Sequence, residues 1–362
     1  MKGLLLIGGK ATRLKPLSKN IAKSLLPVCD MHILTYQIRL LREAGVYDII
    51  LATGHYAEQY FMAKDLYREL DVDIRISIEH QPLGTAGAIA RAKRFIGGDQ
   101  VLVLNADILC DIDLKEFQKQ HALGGRPASI TGYQVEDPTR FGLLKLEESS
   151  ETGQEEVRGF IEKPKSLSDI PRQDSGYYIN AGIYLLEPEA VRTIADGVPV
   201  SIERETFPNL IELYGGLNHF AYDGLWVDIG TFAGYYEANL AVLRQYLEPS
   251  GLGRDGLFWR IKDEHTKQGE KQYEVFDNAV YAARSAVMGP NSRTEQNVVL
   301  MEGVEIGAGS VLEDCILLPG AIVGSRCKIK RAIIGTGVEL PDNSVIENKL
   351  VFNDEPEMEF DL

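Results

Sequence analysis

The chain has 362 residues, 44% hydrophobic and 25% charged, with a formal net charge of −15. Its length exceeds one typical domain and predicts two. The acidic balance excludes a nucleic-acid partner, which would want a basic surface, and no apolar run reaches the roughly 18 residues of a membrane span.

From the N-terminus, Leu4–Ile7 is an apolar run of four that reads as a buried parallel strand and is too short for a signal peptide. It ends on Gly8-Gly9, where the backbone can turn tightly and approach a ligand with no side chain between. Lys10, Arg13, Lys15 and Lys23 follow. Main-chain N–H groups on a Gly-rich turn, followed by cations, suit a polyphosphate. A plain strand–turn–helix corner also uses Gly-Gly; the ordered cations favour a nucleotide. The pattern is neither a Walker A loop nor Gly-x-Gly-x-x-Gly.

Up to about residue 245, aliphatic runs alternate with amphipathic stretches. Gly3–Ile7, Asp48–Ala52, Asp73–Ser77, Gln100–Leu104, Ala128–Tyr133, Leu143–Leu146 and Gly182–Leu185 read as strands. Ile33–Ala44, Ala57–Leu70 and Ala86–Arg94 read as helices. The alternation predicts an α/β, Rossmann-like fold: a mixed, mostly parallel sheet with helices on both faces. Ligands on such sheets bind outside the carboxyl ends of the strands, where Gly8-Gly9 and Asn105-Ala-Asp107 both fall.

Glu79 precedes a loop shaped by Pro82 and Gly84, whose Gly84 and Thr85 offer backbone N–H groups. One carboxylate can accept the adjacent N1–H and N2–H of guanine, whereas uracil and thymine suit an amide better. The bland alternative is a solvated Glu at a strand end. Asp107 ends an aliphatic strand and suits Mg²⁺, though such an Asp also caps helices and turns. Glu162-Lys163-Pro164 sets an acceptor for hydroxyls beside a cation for a phosphomonoester, or is a surface turn. Asn180 can bond a hydroxyl, and Gly142 offers a bare backbone N–H. Asp228, beside a Gly turn, opens the predicted helix Tyr235–Tyr246 and supplies a second carboxylate for Mg²⁺. The six histidines are scattered and read as structural or surface residues.

Residues 246–274 read as a linker. From 275 to 352, aliphatic-Gly pairs recur at Met288-Gly289, Ile306-Gly307, Val323-Gly324 and Ile334-Gly335, with gaps of 18, 17 and 11 residues. Single aliphatic residues at about six-residue steps predict a left-handed parallel β-helix, with an irregular β-sandwich as the alternative. Residues 353–362 read as a frayed acidic tail. Cys29, Cys110, Cys315 and Cys327 lie far apart without Cys-x-x-Cys, which predicts a reduced, cytoplasmic protein without a zinc site.

In this order, these pieces resemble the nucleoside-diphosphate-sugar pyrophosphorylases, that is, the sugar-1-phosphate nucleotidylyltransferases. The nearest likeness is to mannose-1-phosphate guanylyltransferases with a C-terminal hexapeptide-repeat domain over 275–352 and a catalytic domain over 1–245. The resemblance implies that Gly8, Gly9 and Arg13 hold the triphosphate of GTP and that Lys23 steadies it. Glu79, Gly84 and Thr85 would contact base and ribose, and Asp107 and Asp228 would bind Mg²⁺. Gly142, Glu162 and Asn180 would grip the sugar, and Lys163 its phosphate. It also implies a homo-oligomer, dimer or tetramer, built through the β-helix. Three positions depart from the family pattern: Ala11 for a Gly, Ala22 for a Pro before the lysine, and Ala106 within Asn105-Ala-Asp107. The same fold serves UTP, dTTP, ATP or CTP and other sugar or cyclitol phosphates, and some relatives are non-catalytic regulatory subunits. Retention of Arg13, Lys23, Asp107, Lys163 and Asp228 favours an enzyme. An acyltransferase role for the β-helix lacks a histidine after His265.

Overall fold

The computed structural model describes residues 1–8, 12–29, 31–54, 56–149, 153–170, 176–247, 273–276, 279–353 and 355–360. Gly9, and residues 248–272 of the expected linker, lie outside them. The chain divides into two compact units, Met1–Lys10 with Gln37–Trp226 and Ala11–Tyr36 with Val227–Leu362.

The first unit is built on a nine-stranded mixed sheet. Asp73–Ile78, Asp48–Thr53, Lys2–Ile7 and Val101–Asn105 lie side by side and parallel. In chain order these four strands run 3-2-1-4, the doubly wound arrangement. Their aliphatic runs follow from burial on both faces. Leu4, Leu6, Ile50, Ala52, Val101 and Val103 share a core cluster with Ala86, Ile89 and Ile96 of the helix Gly84–Ile96. Leu5, Leu51 and Leu102 alternate with them, lie outside that cluster, and are also fully buried.

The other half of the sheet reverses direction. Tyr177–Leu186 runs antiparallel to Val101–Asn105 and to Ala128–Val135. Leu217–Tyr222 is parallel to Ala128–Val135, and the hairpin Gly142–Glu148/Glu155–Glu162 closes that side. The expectation of a mostly parallel sheet therefore holds only for the N-terminal half. Short connections such as the one between Glu148 and Glu155 cannot make a parallel crossover, which takes a dozen or more residues. The helix expected over Ala57–Leu70 is two helices, Ala57–Met62 and Lys64–Glu69, separated at Ala63. The Tyr67 hydroxyl donates to the Tyr60 carbonyl across that break, at 2.9 Å.

The second unit contains the helix Phe232–Leu247, the short hairpin Pro27–Val28/Met31–His32 and the C-terminal strands. The C-terminal strands are short and pair in parallel at a nearly constant offset. Val280 faces Val298, Val298 faces Cys315, and Cys315 faces Ala332, steps of 18, 17 and 17 residues. A second set steps from Val287 to Glu305, Ile322 and Glu339. That register explains the odd gap in the sequence pattern. The position following Val323-Gly324 is Leu340-Pro341, whereas Ile334 belongs to the first set, opposite Leu317 and Val351.

Inward side chains, including Leu300, Leu317 and Ile334 with Cys315 and Cys327, form one apolar core. All four cysteines are buried thiols. A neighbouring column, Val299–Ile316–Ile333–Leu350, lies outside that core and yet is no more than 3% exposed. Within the tail expected to fray, Met358–Glu359 pairs with Lys349–Leu350, and Phe360 packs edge-on against Tyr236 at 5.5 Å. Burial of that one aromatic outweighs the acidity around it. Among the described residues, no helix is long and apolar enough to cross a membrane.

Ile333→Ala should cost about 2–4 kcal/mol in denaturant unfolding, because it leaves a cavity at a fully buried site. Val345→Ala, at a position 69% exposed, should change stability by less than about 0.5 kcal/mol.

Candidate functional site

In the first unit, the strand order reverses between Lys2–Ile7 and Val101–Asn105, where doubly wound sheets leave a crevice. Leu6 faces Asn105, Ile7 faces Thr53, and the Ala106 N–H donates to the Leu6 carbonyl at 3.0 Å. The three strands thus end together. A cavity of about 320 Å³ opens there, with Gly8, Glu79, Gly84, Thr85 and Asp107 in its walls. Its apolar lining includes Leu6, Ala52 and Ala88. Among the described residues other than its chain neighbours, no atom would lie within 4 Å of a Cβ on Gly8.

Glu79 reaches forward to its own loop. Its Oε2 accepts the Leu83 N–H at 3.0 Å, which closes the turn before the helix Gly84–Ile96. Half-burial pushes its pKa up, and the Leu83 bond works against that shift. One carboxylate oxygen is thus committed to the protein. The helix start is equally constrained. The Val200 carbonyl accepts the Ala86 N–H at 3.0 Å and the Gly87 N–H at 3.2 Å. Gly84 has φ +72, and a Cβ there would lie 2.6 Å from the Val200 oxygen. Only glycine tolerates both demands. The Thr85 hydroxyl accepts from the Ile202 N–H at 2.8 Å and donates to Glu203 at 3.2 Å. Its side chain is occupied internally, while the Gly84 and Thr85 amides, first in the helix, have no intrahelical acceptor.

A second cluster gathers Gly142, Glu162 and Asn180. A Cβ on Gly142 would sit 3.0 Å from Glu162 Oε2 and 3.9 Å from the Asn180 Cβ. Asn180 Oδ1 accepts the Gly182 N–H at 3.0 Å, and its Nδ2 donates to the Tyr184 hydroxyl at 2.9 Å. Burial pushes the Tyr184 phenol far up, and the charges of Glu203, Glu162 and Asp107 add to it. One carboxylate from each cluster, Asp107 and Glu162, therefore acts on the same phenol. Lys163 adopts φ +45 and is 3.7 Å from Glu162, with its side chain 63% exposed. Trp226 stacks on Tyr133 and meets Phe141 edge-on, and its indole N–H donates to the Ala181 carbonyl at 3.0 Å.

In the second unit, Arg13 and Asp228 converge on Gly230. A Cβ there would lie 2.9 Å from Asp228 Oδ1 and 3.1 Å from Arg13 Nη2. Lys23 starts the short helical turn Lys23–Leu25. Two of the described histidines, His121 and His219, have buried side chains. His121 bonds Ser129 at 2.7 Å, and burial lowers the His219 pKa to about 4.

Sequence reasoning missed Glu203, the Val200 carbonyl and Tyr184. Ser201-Ile-Glu-Arg-Glu205 carries a legible signal, since Ser followed by Glu before an apolar run marks a helix start. The Ser201 hydroxyl accepts the Arg204 N–H, and Glu205 returns to the Ser201 N–H at 2.9 Å.

Comparison with known proteins matches residues 2–245 to the nucleotidyl transferase family and residues 276–360 to the GMPPB C-terminal domain. A mannose-1-phosphate guanyltransferase of Hypocrea jecorina is 31% identical over 98% of this chain and 92% of its own length. Mannose-1-phosphate guanylyltransferase 1 of Arabidopsis thaliana is 32% identical over 98% and 91%. The crystal structure of HddC from Yersinia pseudotuberculosis complexed with GMP-PN is 27% identical, with a TM-score of 0.54 over 66% of this chain and 97% of that one. With a sheet, a strand-end cavity and a family match that agree over two thirds of its length, the chain belongs to the nucleotidyl transferase family.

Proposed function

We propose that the chain transfers GMP from GTP to a sugar 1-phosphate, mannose 1-phosphate in first place, giving a GDP-sugar and pyrophosphate. The observation that carries this reading is the convergence of Gly8, Glu79, Gly84, Thr85 and Asp107 on one cavity. The names of the relatives, and the GMP-PN in HddC, point the same way. The apolar wall of Leu6, Ala52 and Ala88 suits the face of a base. Glu79 turns one oxygen to Leu83 and keeps the other for base N–H groups. Amides at the start of a helix favour anionic and ribose oxygens.

The sugar lies against Gly142 and Glu162, with Lys163 taking its phosphate. Asn180 reaches it only with what its two internal bonds leave. An oxygen of that phosphate attacks the α-phosphorus in line. A P–O bond forms, the bond to the bridging oxygen breaks, and pyrophosphate leaves with the electron pair. The attacking phosphate is already ionised near neutrality, so no general base is needed. Arg13 and Lys23 neutralise charge on the departing group, and catalysis comes from positioning and electrostatics.

No three or more His, Cys, Asp or Glu side chains gather into a metal cluster among the described residues. Mg²⁺ binds through one or two carboxylates and takes its remaining ligands from phosphates and water. By the family resemblance, Asp107 and Asp228 are the residues that would hold it. Mg²⁺ would supply charge neutralisation on the phosphates. The regular parallel offset in the C-terminal strands supports a left-handed parallel β-helix, and we assign it the role of joining copies into a dimer or tetramer. A cytoplasmic location fits the four reduced cysteines.

A panel of nucleoside triphosphates with mannose 1-phosphate, read by pyrophosphate release, should show GTP preferred. A preference for UTP or dTTP would overturn the use of Glu79. Because its pKa is raised, Glu79 loses its charge on acidification before an ordinary glutamate does. GTP affinity should therefore fall from above the usual carboxylate range, and Glu79→Gln should flatten that dependence. Lys163→Ala should raise the sugar-phosphate KM about 10- to 100-fold, the loss of a charge-assisted bond, with little change in the KM for GTP. Asp107→Ala should abolish Mg²⁺-dependent turnover without lowering the melting temperature.

A further inference from the structure

We infer that Asn239 is a positioning residue that holds the loop bearing Lys23; this rests on the reading of Lys23 as a phosphate ligand. Asn239 is fully buried on the helix Phe232–Leu247, which begins four residues after Asp228. Its Oδ1 accepts the Cys29 N–H at 2.9 Å, and the Cys29 thiol donates to the Asn239 carbonyl at 3.5 Å. Asn239 Nδ2 donates to the Tyr235 carbonyl at 2.9 Å, which fixes its orientation. One turn earlier, the Tyr235 hydroxyl donates to the Pro27 carbonyl at 2.5 Å. Two side chains of one helix therefore grip the backbone at Pro27 and at Cys29.

The grip reaches the lysine through a short chain of main-chain bonds. The Leu26 N–H donates to the Lys23 carbonyl at 3.1 Å, and the Ile33 N–H donates to the Leu26 carbonyl at 3.2 Å. The Tyr36 hydroxyl donates to the Val28 carbonyl at 3.0 Å. Cys29 has φ +50, a conformation that non-glycine residues seldom adopt, so the turn depends on its tether. On the other side of the lysine, Ala22 has φ −61 and ψ 137, the geometry that a proline ring would enforce. The Ala22 carbonyl accepts the Leu25 N–H at 2.9 Å, which adds to the bonds that follow the lysine. The helix is braced in turn: Phe232 meets Phe352 at 5.9 Å, and Tyr236 meets Phe360.

The test is a double-mutant cycle on the full chain. Asn239→Ala and Tyr235→Phe are each made in the native and in the Lys23→Ala background. Both kcat/KM for GTP and the GTP Kd by calorimetry are read, with thermal melting as a check on folding. Tyr235→Phe keeps the ring and serves if Asn239→Ala does not fold. In the native background each variant should lose about 10- to 100-fold, the usual cost of a misplaced group. In the Lys23→Ala background the same changes should cost less than about twofold. Equal losses in both backgrounds would overturn the inference and mark Asn239 as structural only. If Lys23→Ala alone left both quantities unchanged, the phosphate role of Lys23 would fall, and the positioning role with it.

Discussion

The candidate site in the first unit depends on the complete burial of one strand. Leu4 and Leu5 are 0% exposed, so the amides in the middle of Lys2–Ile7 must find their partners within the sheet. Parallel neighbours on both sides supply those partners, and Gly3, where a Cβ would lie 3.0 Å from the Leu41 side chain, marks one position that admits little else. The start of the strand is tied as well: Lys2 pairs with Asp48, and its N–H donates to the Gln100 carbonyl. Once the register is set, the position of Gly8 relative to Asn105 and Asp107 follows without any specific contact between them.

Around that fixed edge, the protein uses many of its own polar groups to hold the walls in place. The Val200 carbonyl takes two helix-start amides, Glu203 takes the Thr85 hydroxyl, and Glu79 closes its own loop. Asn180 spends both ends of its amide on Gly182 and Tyr184. A carboxylate bonded at one oxygen keeps a fixed direction for the other. That pre-organisation lowers the ordering cost of binding.

Much of this was legible in the sequence, and the rest was hidden for identifiable reasons. The run Leu4–Ile7 and the strand ending at Asn105 are uninterrupted aliphatic segments, and both strands lie within a residue of their expected bounds. Gly8, Glu79, Gly84, Thr85 and Asp107 were each readable as ligand-type residues, and the fold gathers them in one cavity. By contrast, Glu155–Glu162 and Leu217–Tyr222 are broken by charged and polar side chains, so periodicity did not reveal them. The Val200 carbonyl carries no side-chain signature at all. Thr85 illustrates a subtler limit: its identity suggests a ligand contact, and only the structure shows the hydroxyl turned to Glu203. The C-terminal repeat was visible as aliphatic-Gly pairs, but its phase was not, because Leu340-Pro341 replaces the glycine that the eye follows.

The same repeat explains how a stack of short strands can serve as a rigid backing for the helix Phe232–Leu247. Asn297, Asp314, Arg331 and Asn348 recur at one position in successive turns and take φ of 54, 49, 48 and 53. Asn and Asp visit the left-handed region at modest cost, whereas Arg does so only where its surroundings impose it. A conformation repeated at each step belongs to the stack rather than to any residue in it, and the Asn297 amide adds a 2.8 Å bond to Asp314. Tyr236 lies within the field of Asp314 and Arg331, one residue along the helix from Tyr235. The corner column thus lies near the face of the helix that carries Tyr236, which also packs on Phe360. One residue round, Tyr235 and Asn239 make three hydrogen bonds to Pro27 and Cys29, in the segment that carries Lys23, so one helix contacts both the C-terminal strands and that segment.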